Sequence, residues 1–241
     1  MADDLASDRA NSSVPASQNE VTAAWLRNAL SSAFLSEQFE TIELQRIGID
    51  YGLASQIFRC RLGPNRPALS VVIKLWRTDT PAGINEALFY RTFGYATGTR
   101  IPAWFHAALD SDKRQGVLIL EDITAAVQGD CLQQLTLDQA KVVARSLAGV
   151  HATWLQHDVL REAEWLPSMT RWEPDATWFA SRRASFIERF GGWLVGLTRP
   201  LLHRIEHIPA IANERLGSAA TTLLHADLHS TTFYSRKILS L

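Results

Sequence analysis

Apolar residues recur at two different periods along this chain, and the period changes near position 135. Before that point they fall in short runs, Ile42 to Ile47, Gln56 to Leu62, Leu69 to Trp76, Ala103 to Leu109 and Gly116 to Leu120. Runs of this length, rich in Val, Ile and Leu and bounded by Gly, Pro, Asn and Asp, read as strands. Gly48, Asp50 and Gly52, then Gly63-Pro64-Asn65, separate the first three into an antiparallel meander. A polar turn from Asp110 to Gln115 separates the last two. Ahead of the strands, Trp25, Leu26, Ala29, Leu30 and Ala33 lie three and four apart and predict a helix over Val21 to Phe39. Thr80-Pro81 supplies an N-cap followed by proline at the first helical position, which predicts a second helix directly after the third strand.

From Thr136 onward the period is helical. Thr136 and Gln139 form a capping box, and Val143, Leu147, Val150 and Trp154 lay an apolar stripe along one face through Leu155. Residues 173–193 and 197–216 continue as helical stretches, the second broken at Pro209, and Thr221 to Leu224 reads as a short strand ending at His225. The pattern predicts an α+β chain: a five-stranded antiparallel sheet with one inserted helix, then a mainly helical region.

Composition narrows the class without changing that picture. The 241 residues are 46% hydrophobic and 20% charged, enough to bury a core in one or two domains. Lys plus Arg number 24 against 25 Asp plus Glu, so no strong overall field favours nucleic acid or an anionic membrane. Cys60 and Cys131 have no metal spacing and read as free thiols in a reducing, cytoplasmic compartment. Residues 1–20 carry three Asp, scattered Ser and Asn and no apolar run, which predicts a solvated, disordered tail and no secretory leader. No run approaches eighteen apolar residues, so no membrane span is expected.

Candidate chemistry centres on LLHADLHSTTF, Leu223 to Phe233. In a loop of the form H-x-D-x-x-x-x-N, Asp accepts the proton of an attacking hydroxyl and Asn, five residues on, holds magnesium. His225 and Asp227 fall in that register, and Thr232 stands at the Asn position as the candidate metal ligand, a hydroxyl in place of an amide oxygen. Phosphoryl transfer needs positioned phosphates, neutralised charge and an oriented hydroxyl rather than covalent help. Lys74, inside the apolar run SVVIKLW, is costly to bury unless paired. Its competing reading is an edge lysine that snorkels to solvent. Glu86, in the first turns of the following helix, is the natural partner, although alone it would read as a surface glutamate.

Two backbone segments complete the set. GIDYGLAS supplies Gly48, Gly52 and Ser55, whose amides could approach phosphates; without the full G-x-G-x-x-G spacing an ordinary glycine hairpin competes. GVLILEDI ends a strand where composition turns from β to α, so the backbone of Glu121, Asp122 and Ile123 is placed to meet an adenine edge, as a plain core strand would also be. Three rival constellations weigh less. His225, Asp227 and His229 would share one face of an extended strand and could bind a divalent metal. His203, Glu206 and His207 match H-x-x-E-H, a zinc-hydrolase pattern that arises readily on an amphipathic helix. Five tryptophans from Trp154 to Trp193 suggest an aromatic box for a cation, or simply core.

Taken in order, VVIKLW, NEALFYRTF, GVLILEDI, RSLAGVHATWL and LLHADLH resemble the aminoglycoside phosphotransferase and choline kinase superfamily, nearest to its ecdysteroid-kinase-like (CHK-like) branch. The blocks E-x-x-F-Y-R of Glu86 to Arg91 and L-A-x-x-H-A-x-W of Leu147 to Trp154 carry most of the likeness, which spans about Ile42 to Leu241. The resemblance implies a protein-kinase-like two-lobed fold, with a nucleotide-binding lobe over 21–122 and a helical lobe with the catalytic loop over 123–241. It implies ATP and Mg²⁺ as cofactors and an unknown small-molecule hydroxyl as acceptor. Lys74 would bind the α and β phosphates, Glu86 would orient it, Glu121 to Ile123 would form the adenine hinge, Asp227 would be the base and His225 would brace the loop. Ala226 stands where the family's glycine is usual. FYSRKILSL resembles the strand pair that in relatives leads to an Asp-Trp motif, and the chain ends eight residues after Phe233, before such an Asp. A truncated helical lobe is therefore expected. The alternatives are a nucleotide-binding pseudokinase or gene remnant, and a metal-dependent hydrolase built on His203, Glu206 and His207.

Overall fold

The computed structural model describes residues 14–31, 39–48, 55–63, 69–77, 81–110, 112–124, 126–128, 134–166, 176–193, 196, 215, 219–225 and 234–236. The chain divides into two compact units, Met1–Thr153 with Leu224–Leu241, and Trp154–Leu223.

The first unit is built on a five-stranded sheet of β1 (Ile42–Ile47), β2 (Ser55–Leu62), β3 (Ser70–Arg77), β4 (Trp104–Asp110) and β5 (Gln115–Glu121). Its order is β1-β2-β3-β5-β4, every pair antiparallel. All five strands fall within a residue of their expected ends. The insertion of a helix between β3 and β4 lets β5, rather than β4, pair with β3. β5 is buried along its whole middle, Gly116 to Leu120, because both faces of the sheet are covered.

One face carries Phe58, Cys60, Leu62, Val71, Ile73, Leu75, Val117 and Ile119, packed with Leu26 and Ala29 of α1 (Ala23–Ala29) and with Val14 and Val21. Burial of each large apolar side chain contributes about 1.5–3 kcal/mol. Of the solvated tail expected over residues 1–20, positions 1–13 lie outside the described residues, while Val14 is 6% exposed and a 3-10 turn spans Gln18–Glu20. α1 starts where the Thr22 hydroxyl accepts the Trp25 N–H at 3.1 Å. It ends at Ala29, where Leu30 leaves helical angles, and residues 32–38 of the helix expected over Val21 to Phe39 lie outside the described residues. The other face carries Trp76, Ala107, Leu118 and Leu120 against Ala87 and Tyr90 of α2 (Pro81–Phe93), the helix expected after the third strand.

Two further findings depart from the expectations. Ala126–Gln128 forms a strand, β6, paired antiparallel with β7 (Tyr234–Arg236), with Ala126 opposite Arg236 and Gln128 opposite Tyr234. Conversely, residues 221–225 make no strand; Thr221 instead accepts the Gln156 N–H on its carbonyl at 2.8 Å. A β-prone tetrapeptide without a ladder partner among the described residues forms no strand.

α3 (Leu137–Thr153) has the expected capping box: the Thr136 N–H donates to Gln139 Oε1 at 2.8 Å, and the Gln139 N–H donates to Thr136 Oγ1 at 3.2 Å. Val143, Leu147 and Val150 form its less exposed side but are only half-buried. The helix is held near its end at Gly149, where an added Cβ would lie 2.5 Å from the Gly98 carbonyl oxygen. In the second unit, α4 (Val159–Glu162) and α5 (Ala176–Phe190) are followed by a 3-10 turn, Gly191–Trp193. Trp154, Ala163 and Leu223 are its buried residues among those described. Trp154 is thus core, while Trp193 is 85% exposed.

Candidate functional site

Alternation along β3 puts Val72, Lys74 and Trp76 on the face that receives α2, and the register puts Ile57 opposite Lys74 and Leu118 on its other side. Lys74 therefore emerges from the middle of an apolar sheet. Its Nζ lies 2.6 Å from both Glu86 Oε1 and Oε2, so the ammonium donates to both carboxylate oxygens. The Lys74 side chain is 19% exposed and that of Glu86 is 32% exposed, so the pair is shielded yet open on one side. This is the pairing expected from the sequence, and it excludes the snorkelling reading. An ion pair at such a depth adds little net stability over apolar packing, so folding alone gives no reason for a lysine there. Beside it, Ile57 and Val72 are half-buried and Leu120, opposite Val72, is buried. A charged end and an apolar floor share one surface.

At the end of β5, the side chains of Glu121 and Asp122 have structural partners. Glu121 pairs with Arg100 at 2.8 Å and accepts the Ala103 N–H at 3.1 Å, while its own N–H donates to the Ala103 carbonyl at 2.7 Å. The Asp122 side chain is 3% exposed. Its carboxylate accepts from Arg59 Nε at 2.7 Å, Arg59 Nη2 at 3.2 Å and the Ser70 hydroxyl at 2.6 Å. Ile123, half-buried, follows directly, and the Thr124 N–H closes a tight turn on the Asp122 carbonyl at 2.9 Å.

Of the glycine-loop candidates, Gly48 has φ +66°, a left-handed angle that suits glycine, and Ser55 opens β2. Gly52 lies outside the described residues, as do Asp227, His229, Thr232, His203, Glu206, His207 and Cys131. His225 is exposed at the end of the described segment 219–225. Among the described residues no group of His, Cys, Asp and Glu could hold a metal ion, and no helix is long and apolar enough to cross a membrane. Cys60 is fully buried, and burial pushes its thiol up to about 12.

Sequence reasoning missed the residues that hold this site in shape. Arg59 and Ser70 lie on the Lys74 face by strand alternation, a signal present in the sequence, but their convergence on Asp122 needs the sheet register. Trp76 sits with its ring against Gly83 of α2 and Gly116 of β5. Glycine inside a helix pattern and inside a strand pattern was the available sign of a close approach.

No family model matches the chain, and no curated protein matches it. Among solved structures it is similar to spectinomycin phosphotransferase, APH(9)-Ia, in complex with ADP and spectinomycin, at 13% identity and a TM-score of 0.38. The match covers 85% of this chain and spans 63% of that one. A likeness of this size assigns no function.

Proposed function

We propose that the chain is an ATP-dependent phosphotransferase acting on the hydroxyl of a small molecule, of the aminoglycoside phosphotransferase and choline kinase type. The observation that carries the reading is the Lys74–Glu86 pair, bidentate at 2.6 Å, on a strand whose neighbours offer an apolar floor. A purine fits half-buried Ile57 and Val72, and a polyphosphate fits an ammonium aimed by a carboxylate. In this reading Glu86 keeps the ammonium in place, and Lys74 attracts the α and β phosphates. The backbone of Glu121 to Ile123 meets the adenine edge. Asp227 takes the proton of the acceptor hydroxyl, braced by His225. Thr232 is the candidate residue that would hold Mg²⁺, and the ion, when bound with the nucleotide, would supply neutralisation of phosphate charge.

Calorimetric titration with ATP, with and without magnesium, tests the reading. The wild type binds, Lys74→Ala loses binding, and Asp227→Asn binds without transferring phosphate to any alcohol in an acceptor panel. A wild-type chain that shows no ATP binding in either condition overturns it. Binding without turnover in the wild type points to the pseudokinase alternative, for which Thr232 at the Asn position is the motivating residue.

A further inference from the structure

Trp76 stands two residues past Lys74 on the same face of β3, 4% exposed. A Cβ added to Gly83 would lie 2.3, 2.4 and 2.6 Å from three atoms of its ring, and one added to Gly116 would lie 2.5, 2.6 and 2.7 Å away. Both distances are shorter than real side-chain contacts, so the indole touches backbone at each glycine. Local propensity opposes both glycines, since one is in a helix and the other in a strand interior. The ring accounts for both at once. Gly83 also lies three residues before Glu86, about one helical turn away and on a neighbouring part of the same surface.

We propose that Trp76, clasped between Gly83 and Gly116, is a positioning residue that sets the distance and rotation of α2 on the sheet and so holds Glu86 against Lys74. A close-packed ring between two backbones is a stop in both directions. α2 moving inward collides with it, and α2 moving outward opens a void beside it. Ala87 and Tyr90 also bury against this face, but their contacts are side chain to side chain and leave more freedom to slide. The helix-setting part of the proposal is independent of function. Its consequence for nucleotide binding rests on the phosphotransferase reading.

The test is a double-mutant cycle between Lys74→Met and Glu86→Gln, read from urea unfolding, repeated in three backgrounds: Gly83→Ala, Trp76→Phe and Gly192→Ala. Gly192 has nothing within 4 Å of its added Cβ and serves as the control. The coupling between the two charges is expected in the wild type and the control, and is expected to vanish in Gly83→Ala and in Trp76→Phe. If Gly83→Ala does not fold, the smaller ring of Trp76→Phe carries the same reading. Coupling of wild-type size in Trp76→Phe overturns the proposal.

A second arm separates the proposal from the functional reading. In Gly83→Ala, ATP affinity falls about tenfold, the size of one lost charge-assisted contact, while adenosine affinity is unchanged. The same substitution adds no further loss in a Glu86→Gln chain. Equal losses for ATP and adenosine, or additivity with Glu86→Gln, overturn positioning. Failure of the wild type to bind ATP overturns the functional reading alone, because the unfolding cycle still reports on the helix.

Discussion

Asp122 collects three donors while nearly all of its side chain is out of water, and Arg59 supplies two of them from a side chain 33% exposed. Removing the cation leaves a buried carboxylate with one hydroxyl partner, which is far costlier than the pair is stabilising. Arg59→Ala is expected to lower unfolding stability by about 2–3 kcal/mol. Ser70→Ala is expected to cost about 1 kcal/mol, both read from urea midpoints. Cys60 gives a pH-dependent counterpart. Burial raises its thiol from 9.0 to about 12, so the folded chain keeps the proton after the unfolded chain has released it. Its contribution is whole below about pH 9 and is lost as pH rises between about 9 and 12. Stability should therefore fall more steeply above pH 9 in the wild type than in Cys60→Ala, and parallel curves would remove Cys60 as the cause. Asp110 behaves oppositely. The backbone N–H of Lys113, at 2.9 Å, holds its carboxylate below the usual range, so its contribution is present above that range and is lost as pH falls.

Elements held by local signals are the ones that were legible in the chain. The reciprocal bonds of Thr136 and Gln139 were readable from a four-residue pattern, and Thr136→Ala should weaken α3 by about 1 kcal/mol in thermal unfolding. The five strands were readable because Val, Ile and Leu runs end at glycine, proline and polar turns. β6 was not: Ala-Val-Gln is too short to alternate, and its partner is Tyr234–Arg236, far along the sequence. Thr221 to Leu224 shows the reverse, a β-prone composition that pairs with no strand among the described residues. The Lys74–Glu86 pair was legible because strand and helix are consecutive. The clamp on Asp122 and the glycines around Trp76 were not, because each joins elements whose adjacency only the sheet order decides. Gly98 belongs with these. Its φ is +70°, and an added Cβ would stand 2.3 Å from Thr153 Oγ1 and 2.4 Å from the Gly149 carbonyl oxygen. Gly98→Ala is expected to cost about 2–3 kcal/mol, from the left-handed angle and the lost close approach together. A Gly98→Ala chain with an unchanged melting temperature would show that α3 does not depend on this contact.

For the molecule as a whole, a ligand that binds only the folded chain raises its melting temperature by mass action. In the proposed phosphotransferase reading, nucleotide at about one hundred times its Kd is expected to add about 2.7 kcal/mol, or roughly 5–10 °C for a chain of this size. Differential scanning fluorimetry with Mg-ATP checks this, and Lys74→Ala should abolish the rise. The β6–β7 pair has a different consequence, which concerns time. Of the five strand pairings among the described residues, three join strands adjacent along the chain and β3 with β5 spans one helix and one strand, while Ala126 must find Arg236 across roughly 110 residues, a closure that costs on the order of 4 kcal/mol in chain entropy. Pulsed hydrogen exchange during refolding should therefore protect β2, β3 and β5 first and β6 and β7 last. On a ribosome the sheet bearing Lys74 can assemble while Tyr234 has yet to be added, so the nascent chain acquires the Lys74–Glu86 pair before the segment that follows Asp227 is in place.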